Sequence, residues 1–243
     1  VANGKNPLQL HPYNPTYLYD SAIRPLRNMA VNGVIWYQGE SNATNIEIHE
    51  RLFPLLIQSW RSFFADSSLP FYYVQLSSIN RPSWPWFRDS QRTMMQQLPN
   101  TGMAVSSDLG DSLDVHPRNK QPIGERLARW ALSKHKGFEQ IVPSGPLFVG
   151  AKMQGKKVVV EFKYGKNLTT ADNQPLRTLE LAGADKVFYP AKTILKDGVL
   201  EAWSDSVQQP KFVRYAYQPF TRGNLVNSDK LPASTFLSAI SAK

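Results

Sequence analysis

The stretch Gly33-Val34-Ile35-Trp36-Tyr37-Gln38-Gly39-Glu40-Ser41-Asn42-Ala43 decides how the rest of the chain is read. A short apolar run, too short for a helix, stops at a polar turn built around glycine. Val34 to Tyr37 reads as a buried strand, and Gln38 to Asn42 as a cluster delivered at its carboxyl end. Two further runs repeat the pattern. Pro70-Phe71-Tyr72-Tyr73-Val74-Gln75-Leu76 leads into Ser77–Asn80, and Met103-Ala104-Val105 leads into Ser106–Asp108.

Helical patterns lie between these strands. One opens at Pro15 and runs to about Ala30, with Leu18, Ala22, Leu26 and Met29 at helical spacing. A second covers about Glu47 to Phe64, its apolar side formed by Leu52, Leu55, Leu56, Trp60 and Phe64. A third runs from Trp86 to Leu98. A fourth is capped by Asn119 and reaches about Lys134, with Pro122 tolerated in the first turn. Strands alternating with helices imply βαβ units and a parallel sheet, whose functional groups gather at the carboxyl ends of the strands.

The character changes around Val142-Pro143-Ser144-Gly145-Pro146. Short runs at 158–162, 178–181, 186–189, 200–203 and 212–217 are broken by turns at Gly165-Lys166-Asn167, Ala182-Gly183-Ala184 and Lys196-Asp197-Gly198. They predict a small antiparallel β-sandwich. The expected division is therefore 1–142 for the α/β part and 143–243 for the β-sandwich. Three parallel strands make an incomplete sheet of this class.

Composition narrows the classes. The 243 residues carry 28 Lys and Arg against 19 Asp and Glu, a net charge of +9, and no Cys. Disulfides and thiolate metal sites are therefore out. No run approaches the ~18 apolar residues of a membrane span. The basic residues are scattered, the tightest group being Lys152 to Lys157, with no element that reads nucleic acid. A periplasmic or secreted home fits, and a cytoplasmic one fits the same composition. His11, His49 and His135 have no ligand-like spacing, so no zinc site is expected.

Asp114-Val115-His116-Pro117 carries the sharpest chemistry. Pro117 pushes His116 toward extended backbone, where residues two apart share a side. Asp114 can then accept from one imidazole nitrogen and leave the other as general base; the bland alternative is a surface His that follows an Asp. Asp108 and Asp111 are backup acids. Gln38 and Asn42 can donate to an oxyanion, or serve only as turn residues with Gly39. Glu40 can orient its neighbours or cap the next element. Gly39-Glu40-Ser41-Asn42-Ala43 is one Gly short of a nucleophile elbow, and Glu40 places a negative charge beside Ser41. Trp84-Pro85-Trp86-Phe87 covers the core or stacks on a sugar.

The blocks W-Y-Q-G-E-S-N, L-F-P-L-L-I-Q-S-W-R, L-P-F-Y-Y-V-Q-L, L-P-N-T-G-M-A-V-S-S-D-L-G-D and D-V-H-P-R-N-K, in this order, resemble the sialate O-acetylesterase family of SGNH hydrolases. The likeness runs from about Tyr17 to Tyr217. It implies a flavodoxin-like parallel sheet carrying a Ser-His-Asp esterase with appended β-domains and no cofactor. It implies His116 as the base, Asp114 as its partner, and Gln38, Gly39, Glu40 and Asn42 beside the oxyanion and substrate. The family's nucleophile lies in an upstream G-Q-S-N motif that this sequence does not contain. The expectation is a carboxyl-terminal portion of an enzyme that deacetylates O-acetylated sialic acid. Its partner would be an amino-terminal segment supplying the Ser, with Ser41 only lining the site. The rival expectations are an acetylxylan-type esterase and a carbohydrate-binding protein without catalysis.

Overall fold

The computed structural model describes residues 14–196 and 198–241; His11 and Asp197 lie outside them. Three parallel strands form the first sheet, in the order β1 (Val34–Trp36), β2 (Phe71–Val74), β3 (Thr101–Ala104). Every residue of β2 is buried, as a central strand covered on both faces requires. Helices α1 (Ile46–Phe63), α2 (Trp84–Gln97) and α3 (Gln121–Trp130) connect and flank the strands.

The antiparallel part begins at β4 (Leu147–Gln154) and β5 (Lys157–Lys163). Then come β6 (Thr169–Thr170), β7 (Leu179–Ala182), β8 (Phe188–Pro190), β9 (Lys192–Lys196) and β10 (Val199–Trp203), followed by β11 (Phe212–Tyr215), β12 (Leu225–Val226) and β13 (Phe236–Ala239). Two four-stranded sheets result, β4-β5-β10-β9 and β13-β11-β7-β8, with the ribbon β12-β6 beside them. Their inner faces share a core in which Phe236 stacks on Phe148 with ring centres 4.3 Å apart. The expected parallel sheet, flanking helices and antiparallel sheets are all present.

Arg88 of α2 joins the two parts. Fully buried, it donates to Thr235 Oγ1 (3.0 Å) and to the carbonyls of Ala216 (2.9 Å), Gln218 (2.6 Å) and Pro219 (3.0 Å). A guanidinium satisfies such a ring of acceptors because its donors form a rigid planar fork.

Three expectations about the helices need correction. The segment expected as the first helix is no regular α-helix. It is a π turn over Tyr19–Ile23 followed by a 3-10 turn over Arg24–Asn28. Pro25 has no N–H to continue an α-ladder, so the chain changes its winding there. The buried stripe of α1 is His49, Phe53, Ile57 and Arg61; Leu52 and Leu55 remain more than half exposed. The helix is apolar on two faces, and spacing alone does not choose between them. Asn119 does not cap α3: the helix starts at Gln121, with Lys120 before it and no side-chain cap.

Candidate active site

The polar clusters converge at the carboxyl ends of the three strands, as the sheet topology requires. Beyond β1 the chain turns at Gly39, whose φ of +141° is unfavourable for side-chain-bearing residues. A Cβ at Gly39 would also lie 2.9 Å from the Phe87 ring. The turn closes through Asn42 N–H to Gly39 O (2.9 Å) and Asn45 N–H to Asn42 O (2.8 Å). Gln38 Nε2 donates to Asn42 Oδ1 (2.7 Å), which fixes the orientation of its amide. Ala43 from the same turn is buried with Leu76, Ile79, Trp84 and Phe87.

The segment after β3 is tied down from beneath. Ser78 Oγ donates to Ser107 O (2.7 Å), Ser106 Oγ to Gln75 O (2.6 Å), and Asn80 N–H to Ser112 O (3.2 Å). Gly110 packs directly on the Ser78 backbone, where no Cβ would fit. Past that anchor the chain carries Asp114 and His116 outward. Val115 packs against the same apolar cluster as Tyr37, so one small core supports both the Gln38 turn and the His116 loop. Lys120 reaches back over the Tyr37 ring, with Nζ 4.8 Å from its centre.

Asp114 and His116 meet in the expected way, with an added contact. Asp114 Oδ1 accepts the backbone N–H of His116 (2.9 Å) and lies 3.3 Å from His116 Nδ1. The backbone hydrogen bond, then the imidazole and Arg118, hold the Asp114 carboxyl below its usual range. The His116 side chain is 81% exposed, leaving its Nε2 side open to an incoming group. The other two acids are engaged elsewhere. Asp108 forms a two-pronged pair with Arg126 (2.7 and 2.7 Å), and Asp111 Oδ1 accepts the N–H groups of Leu113 (2.8 Å) and Asp114 (3.2 Å).

Two groups here escaped the sequence reading. The Tyr37 hydroxyl is pushed up to about 12, mainly by burial and then by the Glu40 charge, against a hydrogen bond with Ser106. His49 sits in the groove that also holds Gln38 and Asn42, stacked on Phe53 at 5.2 Å and tilted against Phe87 at 4.6 Å. Tyr37 stands inside the quoted motif, but Ser106 is far away in sequence and no local pattern links them. Among the described residues no group of three or more His, Asp or Glu side chains could hold a metal ion. No helix among them is long and apolar enough to cross a membrane.

Residues 1–133 match the model of the family described as carbohydrate esterase, sialic acid-specific acetylesterase. The chain belongs to this family. The sialate O-acetylesterase of Mus musculus is 35% identical over 158 residues, which are 56% of this chain and 29% of the mouse protein. The Homo sapiens sialate O-acetylesterase is 33% identical over 175 residues, covering 63% of this chain and 34% of its own length. A crystal structure described as a novel carbohydrate acetylesterase from Xanthomonas citri superposes with a TM-score of 0.85 at 37% identity. That match covers 92% of this chain and 54% of the Xanthomonas protein. This family member thus spans about a third of the curated relatives' length and about half of the crystallised one.

Proposed function

We propose that this chain forms part of a serine-type O-acetylesterase acting on acetylated sugars, with O-acetylated sialic acid as the preferred substrate class. The pairing of Asp114 with an outward-facing His116, on the same small core as the Gln38 turn, carries the reading. A Ser hydroxyl attacks the acetyl carbonyl carbon, and His116 takes its proton. Asp114 holds the imidazole in the tautomer that leaves the far nitrogen free. The remaining N–H of the Gln38 amide helps hold the carbonyl oxygen as it gains negative charge. The tetrahedral adduct collapses, the C–O bond to the sugar breaks, and the proton on His116 passes to the sugar oxygen. Water then attacks the acetyl-enzyme, and His116 relays its proton back to the Ser as acetate leaves.

In this proposal the attacking hydroxyl comes from sequence outside the 243 residues. A nucleophile elbow is a sharp strand-to-helix turn, whereas residues 37–45 intervene between β1 and α1 and Ser41 sits in the middle of them. Strand β1 is also an edge strand, with Ile35 71% exposed. The outer face of α1 beside it lines a groove of about 900 Å³ with Leu56, Trp60 and Phe63. This groove, walled on its other side by Leu18, Tyr19 and Ile23, lies next to a strand edge that has no partner among the described residues, which suits a further strand and helix of the same sheet. The net charge of +9 favours an anionic sugar over a neutral one.

The test is acetate release from O-acetylated sialic acid by the chain alone and by the chain fused to the preceding segment of its enzyme. The chain alone is expected to be silent and the fusion active. Turnover by the isolated chain that disappears in Ser41→Ala would overturn the assignment of the nucleophile.

A further inference from the structure

A second cleft, of about 690 Å³, opens at the opposite end of the parallel sheet. Pro70, just before β2, and Thr101, the first residue of β3, lie on its rim. The four residues of β2, roughly 13 Å of extended chain, separate that rim from the polar clusters around Gln38 and His116. The facing wall belongs to the antiparallel part: Phe148 and Val149 of β4, and Lys163 and Tyr164 at the end of β5. Clefts of this volume between two structural units are ordinary small-molecule sites.

Three features distinguish the cleft from a simple seam. Its aromatic wall is continuous: Tyr72 stacks on Trp130 at 6.2 Å, and Trp130 meets Tyr164 edge-on at 6.0 Å. Two ammonium groups stand over the Tyr164 ring, Lys163 Nζ at 5.3 Å and Lys134 Nζ at 5.7 Å from its centre. Among the described residues neither lysine has a carboxylate partner. Lys134 arrives there on a π turn, Ala131–His135, that widens the end of α3 and carries His135 to the same wall. Tyr164 itself has a φ of +60°, a strained value for a bulky residue, and Asn227 Nδ2 holds its carbonyl at 3.0 Å. Strain of this kind is characteristic of ligand clamps. The carboxylate on this wall, Asp66, spends Oδ1 on the N–H and hydroxyl of Ser68 (2.8 and 2.7 Å).

An apolar ring face beside uncompensated cations selects a ligand with both a C–H face and a negative group. We propose that this cleft is a second, non-catalytic carbohydrate site for a carboxylate-bearing sugar, its ring against Tyr164 and its carboxylate at Lys134 and Lys163. The site would hold an acidic glycan on the back of the sheet, and it stands whether or not the catalytic assignment does.

Binding is read by calorimetry and tryptophan fluorescence while N-acetylneuraminic acid, glucuronic acid, glucose 6-phosphate and glucose are titrated into the chain. Both carboxylated sugars are expected to saturate and glucose not to bind. The double substitution Lys134→Ala/Lys163→Ala is expected to weaken binding by about tenfold or more while leaving circular dichroism unchanged and lowering the unfolding midpoint only slightly, since among the described residues neither side chain has a carboxylate partner and only the contacts with the Tyr164 ring are lost. Tyr164→Ala should weaken it independently. Absence of saturation by either acid overturns the proposal, as does binding that survives loss of both lysines. Loss of binding in Gln38→Ala instead would place the sugar at the front of the sheet. Glucose 6-phosphate binding as tightly as the carboxylated sugars would make the cleft a general anion site and overturn the sugar-acid assignment.

Discussion

His49 is buried between two aromatic rings, and its Nδ1 has no partner among the described residues. Burial lowers its pKa to about 4, against the opposing Glu50 charge. In the unfolded chain an imidazole titrates near 6.5, so between these values the unfolded state binds the extra proton. The neutral His49 therefore contributes its full share of stability above about pH 6.5, and that share is lost as the pH falls toward 4. The loss is on the order of 2–3 kcal/mol. Urea unfolding followed from pH 7 to pH 4 should show this decline, and His49→Phe should flatten it. His116 is tested by rate: His116→Ala in the restored enzyme is expected to lower kcat by about 10³-fold. A near-normal rate would remove it from the proton path. These two imidazoles also mark what sequence could reveal. His116 announced itself through local geometry, since Pro117 and the i, i+2 spacing are sequence properties. Phe53, one helical turn from His49, was legible in the same way, but the Phe87 ring that closes the other side comes from α2, and no residue near His49 in the chain encodes it.

At the scale of elements, α3 is seated by an absence. Gly102 in β3 faces the Trp130 indole so closely that a Cβ would lie 2.4 Å from the nearest ring atom, and Trp130 Nε1 donates to Met103 O (3.0 Å). Gly102→Ala should push α3 off the sheet at a cost of about 1–3 kcal/mol, measurable as a lower urea midpoint with an unchanged slope. The strand-helix alternation was readable because β1, β2 and β3 are short apolar runs ending in polar clusters. The side of α1 that packs inward was not, because Leu52, Leu55, Phe53 and Ile57 give it two apolar faces. Strand β4 is not legible in the sequence because Gly150, where the β4–β5 register shifts, interrupts the alternation that marks a strand. The winding change at Pro25 was written in the sequence, and helical spacing alone did not weigh it.

At the scale of the molecule, Arg88 is the fastening. Arg88→Met keeps much of the side-chain volume but removes four hydrogen bonds; the Ala216 carbonyl keeps Thr235 Oγ1 (3.3 Å), whereas the part-buried carbonyls of Gln218 and Pro219 lose the guanidinium. The expected destabilisation is about 2–4 kcal/mol, read from chemical unfolding. If the two parts melted independently, the same variant would split one transition into two.

A pin of that kind restricts how the protein can work. With the 216–219 turn bolted to the middle of α2, the front half and the β-rich half travel together as one block. On the esterase reading proposed above, entry of a sugar and release of acetate would then rest on small shifts of surface turns such as 111–116 rather than on a wide hinged opening. Exchange of the Ala216 amide, which donates to Thr178 O (3.2 Å) while Arg88 holds the carbonyl of the same residue, should accordingly be among the slowest in the chain, with or without a sugar present.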